Sequence, residues 1–323
     1  MLKDAIGFLQ DDFNAAEEVI NSNIHSTIKV IPDLSNYILE SGGKRFRPVL
    51  LMLTASLCGY RGRKAHVASA VAEYIHTATL LHDDVVDEAD MRRGQAAAKT
   101  IWGNEASVLV GDYLFARSFQ MMVEECGQEV LKIMSRTCIS LAEGEILQLV
   151  KSFDVEITEE EYYSVIYGKT VALISACCEV GAVIAGASPD ARENLRRYGE
   201  EIGYAFQIVD DCLDIAGDPA RTGKPLGGDL KEGKVTLPLI LTLQEASGDE
   251  RKAIKEVILA AEPPEDGFER VKGIVDRHRG VERSIERAWE HVKRAMERIA
   301  GFRECPERDY LEGIARFIVE RDF

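Results

Sequence analysis

In the 323-residue chain, the residues best placed for chemistry gather at 80–94, LLHDDVVDEADMRRG. An apolar run ends there in Asp83, Asp84 and Asp87, followed closely by Arg92 and Arg93. The acidic spacing returns far downstream as Asp210, Asp211 and Asp214 in QIVDDCLD. Residues four apart on an α-helix lie about 40° from one another around the axis, so Asp83 pairs with Asp87 and Asp210 with Asp214. Carboxylates that point the same way from an apolar helix repel, and are costly to bury without a cation between them. Hard oxygen donors of this kind suit magnesium, which takes one or two carboxylates and fills its remaining positions with water and substrate phosphate. The two motifs predict a metal-bridged phosphate site.

The cations that would complete such a site lie on four other stretches. Lys44, Arg45 and Arg47 follow Ser41-Gly42-Gly43 and precede a helix that Pro48 is expected to open. A helix start with free N–H groups beside basic side chains is an anion site, although a basic loop that only caps a helix would look the same. His76 stands seven residues before Asp83, about two turns, and shares the acidic face. A lone histidine on an apolar helix is otherwise a core residue. Lys169-Thr170 falls inside a stretch that is turning apolar, where the lysine is either snorkelling or touching phosphate. Gln207 lies one turn before Asp211. The loop at 218–234 supplies Lys224, Lys231 and Lys234. Gly228 to Lys234 fits GxxxxGK, but Val235 stands where a P-loop needs Ser or Thr and no strand precedes it.

The elements that must position these groups read as helices. Apolar residues recur at helical spacing in two segments across 3–40, then over 66–82, 100–127, 130–150, 158–186, 193–216, 237–246, 251–261 and from 268 onward. Thr158 with Glu161 predicts a capping box. No stretch sustains period-two alternation, so the fold class is all-α and the chain is expected to be one domain, 1–323. Apolar residues make up 46% of the chain, enough for a sizeable core. The net charge of -16 argues against nucleic acid or an anionic membrane as partner. Glu179 interrupts the longest apolar stretch, 171–186, which is short for a membrane span, and the N-terminus has no signal-type apolar region. Seven cysteines without CxxC spacing read as free thiols of a cytoplasmic protein.

The segments GGKRFRP at 42–48, HDDVVDEADMRRG at 82–94, GKT at 168–170, FQIVDDCLD at 206–214 and, across 223–239, GK followed by GDLKEGKVTLPL resemble, in order and spacing, the trans-polyprenyl diphosphate synthases. The resemblance runs over roughly 40–240. It implies the all-helical type I isoprenoid synthase bundle around a central cavity, and a homodimer. It further implies that Asp83 and Asp87 hold two magnesium ions and Asp210 with Asp214 a third, with Asp84 and Asp211 in support. Lys44, Arg47, His76 and Arg93 then resemble the site for isopentenyl diphosphate. Arg92, Lys169, Thr170, Gln207, Lys224 and Lys234 resemble the pocket for the allylic diphosphate. Gly228-Asp229 departs from the family, whose members often carry two acids there.

The physics agrees with these implications. Ionising a C–O bond to release diphosphate needs preorganised positive charge, which metal and basic side chains supply. The allylic cation must be kept from water until the isopentenyl double bond attacks, which calls for an apolar cavity below the carboxylates. No side chain in the motifs is an obvious general base, and the family resemblance gives that role to the released diphosphate. The walls of the cavity would be Ala78 and Thr79, with Ile75 deeper and Phe115 and Phe119 as floor. Short-chain synthases commonly have an aromatic at one of the positions of Ala78 and Thr79, so the expected product is longer, about five to eight isoprene units. A farnesyl or geranylgeranyl synthase is the alternative. A terpene cyclase would carry an Asn/Ser/Glu pattern at its second metal site, and a non-catalytic partner subunit would tend to lose its acidic motifs.

Overall fold

The computed structural model describes residues 1–41, 43–92, 94–217, 226–260 and 264–320. Helices follow in the order α1 Leu2–Phe8, α2 Gln10–Ser22, α3 Val30–Glu40, α4 Phe46–Leu57, α5 Arg63–Val86, α6 Ala98–Trp102, α7 Asn104–Met121, α8 Gln128–Lys151 and α9 Glu159–Ile166. The remainder are α10 Ala172–Ile184, α11 Pro189–Ala216, α12 Gly228–Lys231, α13 Leu237–Glu245, α14 Gly248–Ile258, α15 Gly267–Arg277, α16 Gly280–Ile299 and α17 Pro306–Glu320. Among the described residues the strands are a single antiparallel pair, β1 Met91–Arg92 and β2 Gln95–Ala96, in register Met91 with Ala96. The all-α expectation holds.

Several predicted boundaries move for local reasons. The first predicted helix is two, α1 and α2, separated at Leu9, although Leu9 N–H to the Ala5 carbonyl (3.0 Å) and Phe13 N–H to the Leu9 carbonyl (2.8 Å) carry the ladder across. Helix α4 begins at Phe46, two residues before Pro48, which still sits in the first turn where its missing N–H is harmless. Lys169 and Thr170 lie in a π-helical turn, Tyr167–Val171, between α9 and α10. The capping box forms as expected, with Glu161 N–H to Thr158 Oγ1 at 3.2 Å and Thr158 N–H to Glu161 Oε2 at 2.9 Å.

Contacts divide the chain into two units. The first comprises Met1–Ile139, Leu173–Glu200 and Met296–Ile314. Its axis is α5, against which α2, α4 and α7 pack. Across its 24 residues α5 contains neither Gly nor Pro, and Ala68, Ala70, Ala72 and Ala78 are fully buried. Small side chains allow neighbours on every side. On α7, a Cβ at Gly111 would come within 2.3 Å of His82 Nε2, so that glycine is what lets α7 approach the acidic end of α5.

The second unit comprises Ser140–Ala172, Glu201–Ala295 and Ala315–Phe323. Here α8 approaches the π turn at backbone distance: a Cβ at Gly144 would meet Gly168 Cα and Lys169 N, each at 2.6 Å. Tyr163, Tyr204 and His291 stack nearby, and His291 Nδ1 lies 2.7 Å from Glu201 Oε2. The segment Glu159–Ile184 is long and apolar enough to cross a membrane by length and composition, but 89% of its most apolar window is buried in the fold. All seven cysteines are free thiols.

Candidate active site

In the first unit, the C-terminal turn of α5 carries Asp83, Asp84 and Asp87. Asp87 donates its N–H to the Asp83 carbonyl at 2.8 Å, so the pair spans one helical turn as the spacing predicts. Glu88 then takes a left-handed conformation (φ 50°), and Ala89 N–H closes the turn on the Asp84 carbonyl at 3.0 Å. Asp84 points inward and is fully buried, receiving Arg92 Nε at 2.5 Å on Oδ1. Burial raises its carboxyl above the usual range, with Arg92 opposing. Its Oδ2 is buried and accepts no hydrogen bond from the described residues. Arg92, read from sequence as a diphosphate contact, is thus also the partner of Asp84.

Lys44 is exposed, and Arg47 is half-buried in the first turn of α4. His76 is half-buried on α5. Of the residues predicted to set product length, Ile75 and Ala78 are fully buried, whereas Thr79, Phe115 and Phe119 keep part of their surface open. Phe115 packs on His82 with ring centres 5.9 Å apart, which ties the α7 aromatics to the acidic end of α5. Arg93 and Lys224 lie outside the described residues. An open cleft of about 490 Å³ in the same unit is lined by Arg136, Glu179, Arg192 and Arg196 among others, and contains none of the predicted site residues.

In the second unit, α11 ends on the other acidic motif. Asp210 is exposed. Asp214 accepts the backbone N–H groups of Gly228 and Asp229, each at 3.1 Å. The departure at Gly228 has a local reason, because a Cβ there would lie 3.1 Å from Asp214 Oδ1. Asp211 turns inward, as Asp84 does in the first motif. It accepts Tyr162 Oη at 2.7 Å and Gln207 Nε2 at 2.8 Å, and Gln207 in turn accepts Thr170 Oγ1 at 2.7 Å. Burial drives the Asp211 carboxyl up, Tyr162 and Gln207 pull it down, and Asp210 and Asp214 add to the rise. Lys169 pairs with Glu145 at 3.2 Å, and Lys234 contacts Glu232.

Tyr162 and Glu145 are the site neighbours that sequence reasoning missed. Tyr162 sits beside Tyr163 in a helix read only for its cap, and nothing local marks which tyrosine faces α11. The electrostatics of the two motifs agree with each other. Both lie at helix C-termini, where the backbone dipole is negative, and neither α5 nor α11 has a basic residue in its last turn. Clustered acids near such an end favour a cation. Among the described residues no three His, Cys, Asp or Glu side chains gather to hold an ion by themselves. The donors therefore fit a cation that takes few protein ligands and completes its shell with water and phosphate oxygens, as magnesium does.

Acid-tipped helices with lysine- and arginine-bearing turns define an all-helical enzyme that works on diphosphates. The model of the family described as "Polyprenyl synthetase" matches residues 28–275. Octaprenyl diphosphate synthase of Escherichia coli is 40% identical over 316 residues, 96% of each chain. A decaprenyl diphosphate synthase structure from Rhodobacter capsulatus superposes with a TM-score of 0.96 at 40% identity, covering 100% of both chains. A polyprenyl synthase from Caulobacter crescentus, complexed with calcium and isoprenyl diphosphate, gives 0.96 at 37% identity, over 100% of this chain and 98% of that one. The chain belongs to the polyprenyl synthetase family and is a prenyltransferase. That family uses a divalent metal to bind diphosphate.

Proposed function

We propose that this chain condenses isopentenyl diphosphate head-to-tail with an allylic diphosphate, in repeated cycles, to build an all-trans polyprenyl diphosphate of about five to eight isoprene units. The observation that carries the reading is that both Asp motifs, each near the end of its helix, turn the middle acid inward, Asp84 onto Arg92 and Asp211 onto Tyr162 and Gln207, in a chain of the polyprenyl synthetase family. Magnesium at Asp83 and Asp87, and at Asp210 and Asp214, would neutralise the allylic diphosphate and the charge that develops as it leaves. Three ions per site is the family expectation.

The side chains divide the remaining work. Lys44, Arg47, His76 and Arg93 hold the diphosphate of isopentenyl diphosphate and so orient its double bond. Arg92, Lys169, Thr170, Gln207, Lys224 and Lys234 receive the allylic diphosphate. Asp84 and Asp211, both inward and hydrogen-bonded, support the metal sites by fixing the acidic turns. The proton lost on condensation goes to the released diphosphate. Residues 1–323 act as one synthase domain, supported by relatives that align end to end.

The active form is a homodimer in the cytoplasm. Supporting the dimer, exposed apolar residues recur on α7 and the turn after it (Val108, Leu109, Val123) and on α8 (Ile146, Leu149, Val150). Supporting the compartment, no cysteine is paired.

The test is to incubate the protein with magnesium, isopentenyl diphosphate and an allylic primer, then to chromatograph the dephosphorylated products. Linear all-trans prenols of five to eight units are expected. A cyclic hydrocarbon, or no turnover, overturns the proposal.

A further inference from the structure

The turn that carries Lys44 and Arg47 has a third cation between them, Arg45, to which no role has been given. Its backbone is left-handed (φ 47°, ψ 38°), where a residue other than glycine pays about 1–2 kcal/mol. Its side chain is only 11% exposed and leads away from solvent. Nε donates to Glu17 Oε1 at 2.7 Å, and Nη1 to Glu73 Oε1 at 2.9 Å. Nη2 reaches Glu17 Oε2 and the Leu39 carbonyl, each at 3.3 Å. One guanidinium therefore joins α2, α3 and α5 to the residue that precedes α4.

Two features decide what this cluster does. Two carboxylates against one guanidinium leave it net negative, so it repels an anionic substrate. Glu73, exposed by 7%, stands ten residues before Asp83 on α5, about 15 Å along the axis. The helix that ends in the first acidic motif thus also anchors the basic turn. We propose that Arg45 is a positioning residue for isopentenyl diphosphate: its ion pairs to Glu17 and Glu73 hold the left-handed turn that presents Lys44 and Arg47. This inference rests on the reading of Lys44 and Arg47 as the isopentenyl diphosphate site. Lysine cannot replace Arg45, because the planar fork meets two carboxylates and a carbonyl at once.

The experiment is steady-state kinetics of the full chain over both substrates, for Arg45→Lys, Arg45→Gly, Glu73→Gln and the milder Glu17→Gln. Glycine keeps the left-handed backbone without the ion pairs. The expected result is a KM for isopentenyl diphosphate raised about tenfold or more, with kcat and the allylic KM nearly unchanged. A wild-type KM in Arg45→Gly, or a parallel change in kcat and both KM values, overturns the inference. If a buried variant fails to fold, Glu17→Gln, whose carboxylate is 28% exposed, gives the same readout. Lys44→Ala and Arg47→Ala separate the two levels. If they raise that KM while the Arg45 series does not, the inference alone fails; if they leave it unchanged, the site reading fails and takes the inference with it.

Discussion

Tyr162 donates its hydroxyl to Asp211 Oδ2 at 2.7 Å, joining α9 to the middle acid of the second motif. Together with Gln207 on Oδ1 it fixes that carboxylate, and with it the turn that bears Asp210 and Asp214. Replacing Tyr162 with Phe leaves a buried carboxylate oxygen without its donor, at a cost of about 1–3 kcal/mol. Thermal melts should show that loss, and the magnesium needed for half-maximal turnover should rise about tenfold as the metal-bearing turn loosens. An unchanged magnesium titration would remove Tyr162 from the site.

Asp83 and Asp210 should matter far more for activity than for stability. In the presence of a chelator, Asp83→Asn or Asp210→Asn should shift stability by no more than about 1 kcal/mol. With magnesium and substrates present, kcat should fall about 10²–10³-fold, the cost of removing one preorganised charge contact. Melting temperature in chelator and turnover in magnesium check the two halves separately. A variant that loses stability in chelator as severely as it loses activity counts against a metal-binding role.

Ala78 is fully buried on α5, five residues before Asp83. Phenylalanine there must project into whatever space the prenyl tail uses, or overpack the helix interface at about 1–3 kcal/mol. Ala78→Phe is expected to shorten the product to farnesyl or geranylgeranyl length on chromatography. A soluble, active variant with an unchanged product distribution removes α5 as the ruler.

Glu161 gives a pH signature outside the site. Lys151, first, and then the Thr158 amide and hydroxyl hold its carboxyl down to about 2, from an ordinary value of 4.5. A carboxyl whose pKa is lower in the folded state than in the unfolded one stabilises the fold above 4.5, and that contribution is lost as pH falls towards 2. Glu161→Gln should therefore melt lower than the parent at neutral pH, and the gap should close between pH 4.5 and 2. A gap independent of pH would show that the cap works without its charge.

The order of the motifs, their spacing and the helical character of nearly the whole chain were legible in the sequence, because each depends on neighbours within about two turns. The i, i+4 pairing of Asp83 with Asp87 is of this kind, and so is the capping box at Thr158. Which member of a cluster faces inward was not legible. Asp84 turns to Arg92, Asp211 to Tyr162, and Arg45 to Glu17 and Glu73. In each case the deciding contact comes from another element, up to 49 residues away in the chain. Identical side chains in one motif look equivalent until folding buries some of them, and a buried charge persists only where a distant partner compensates it.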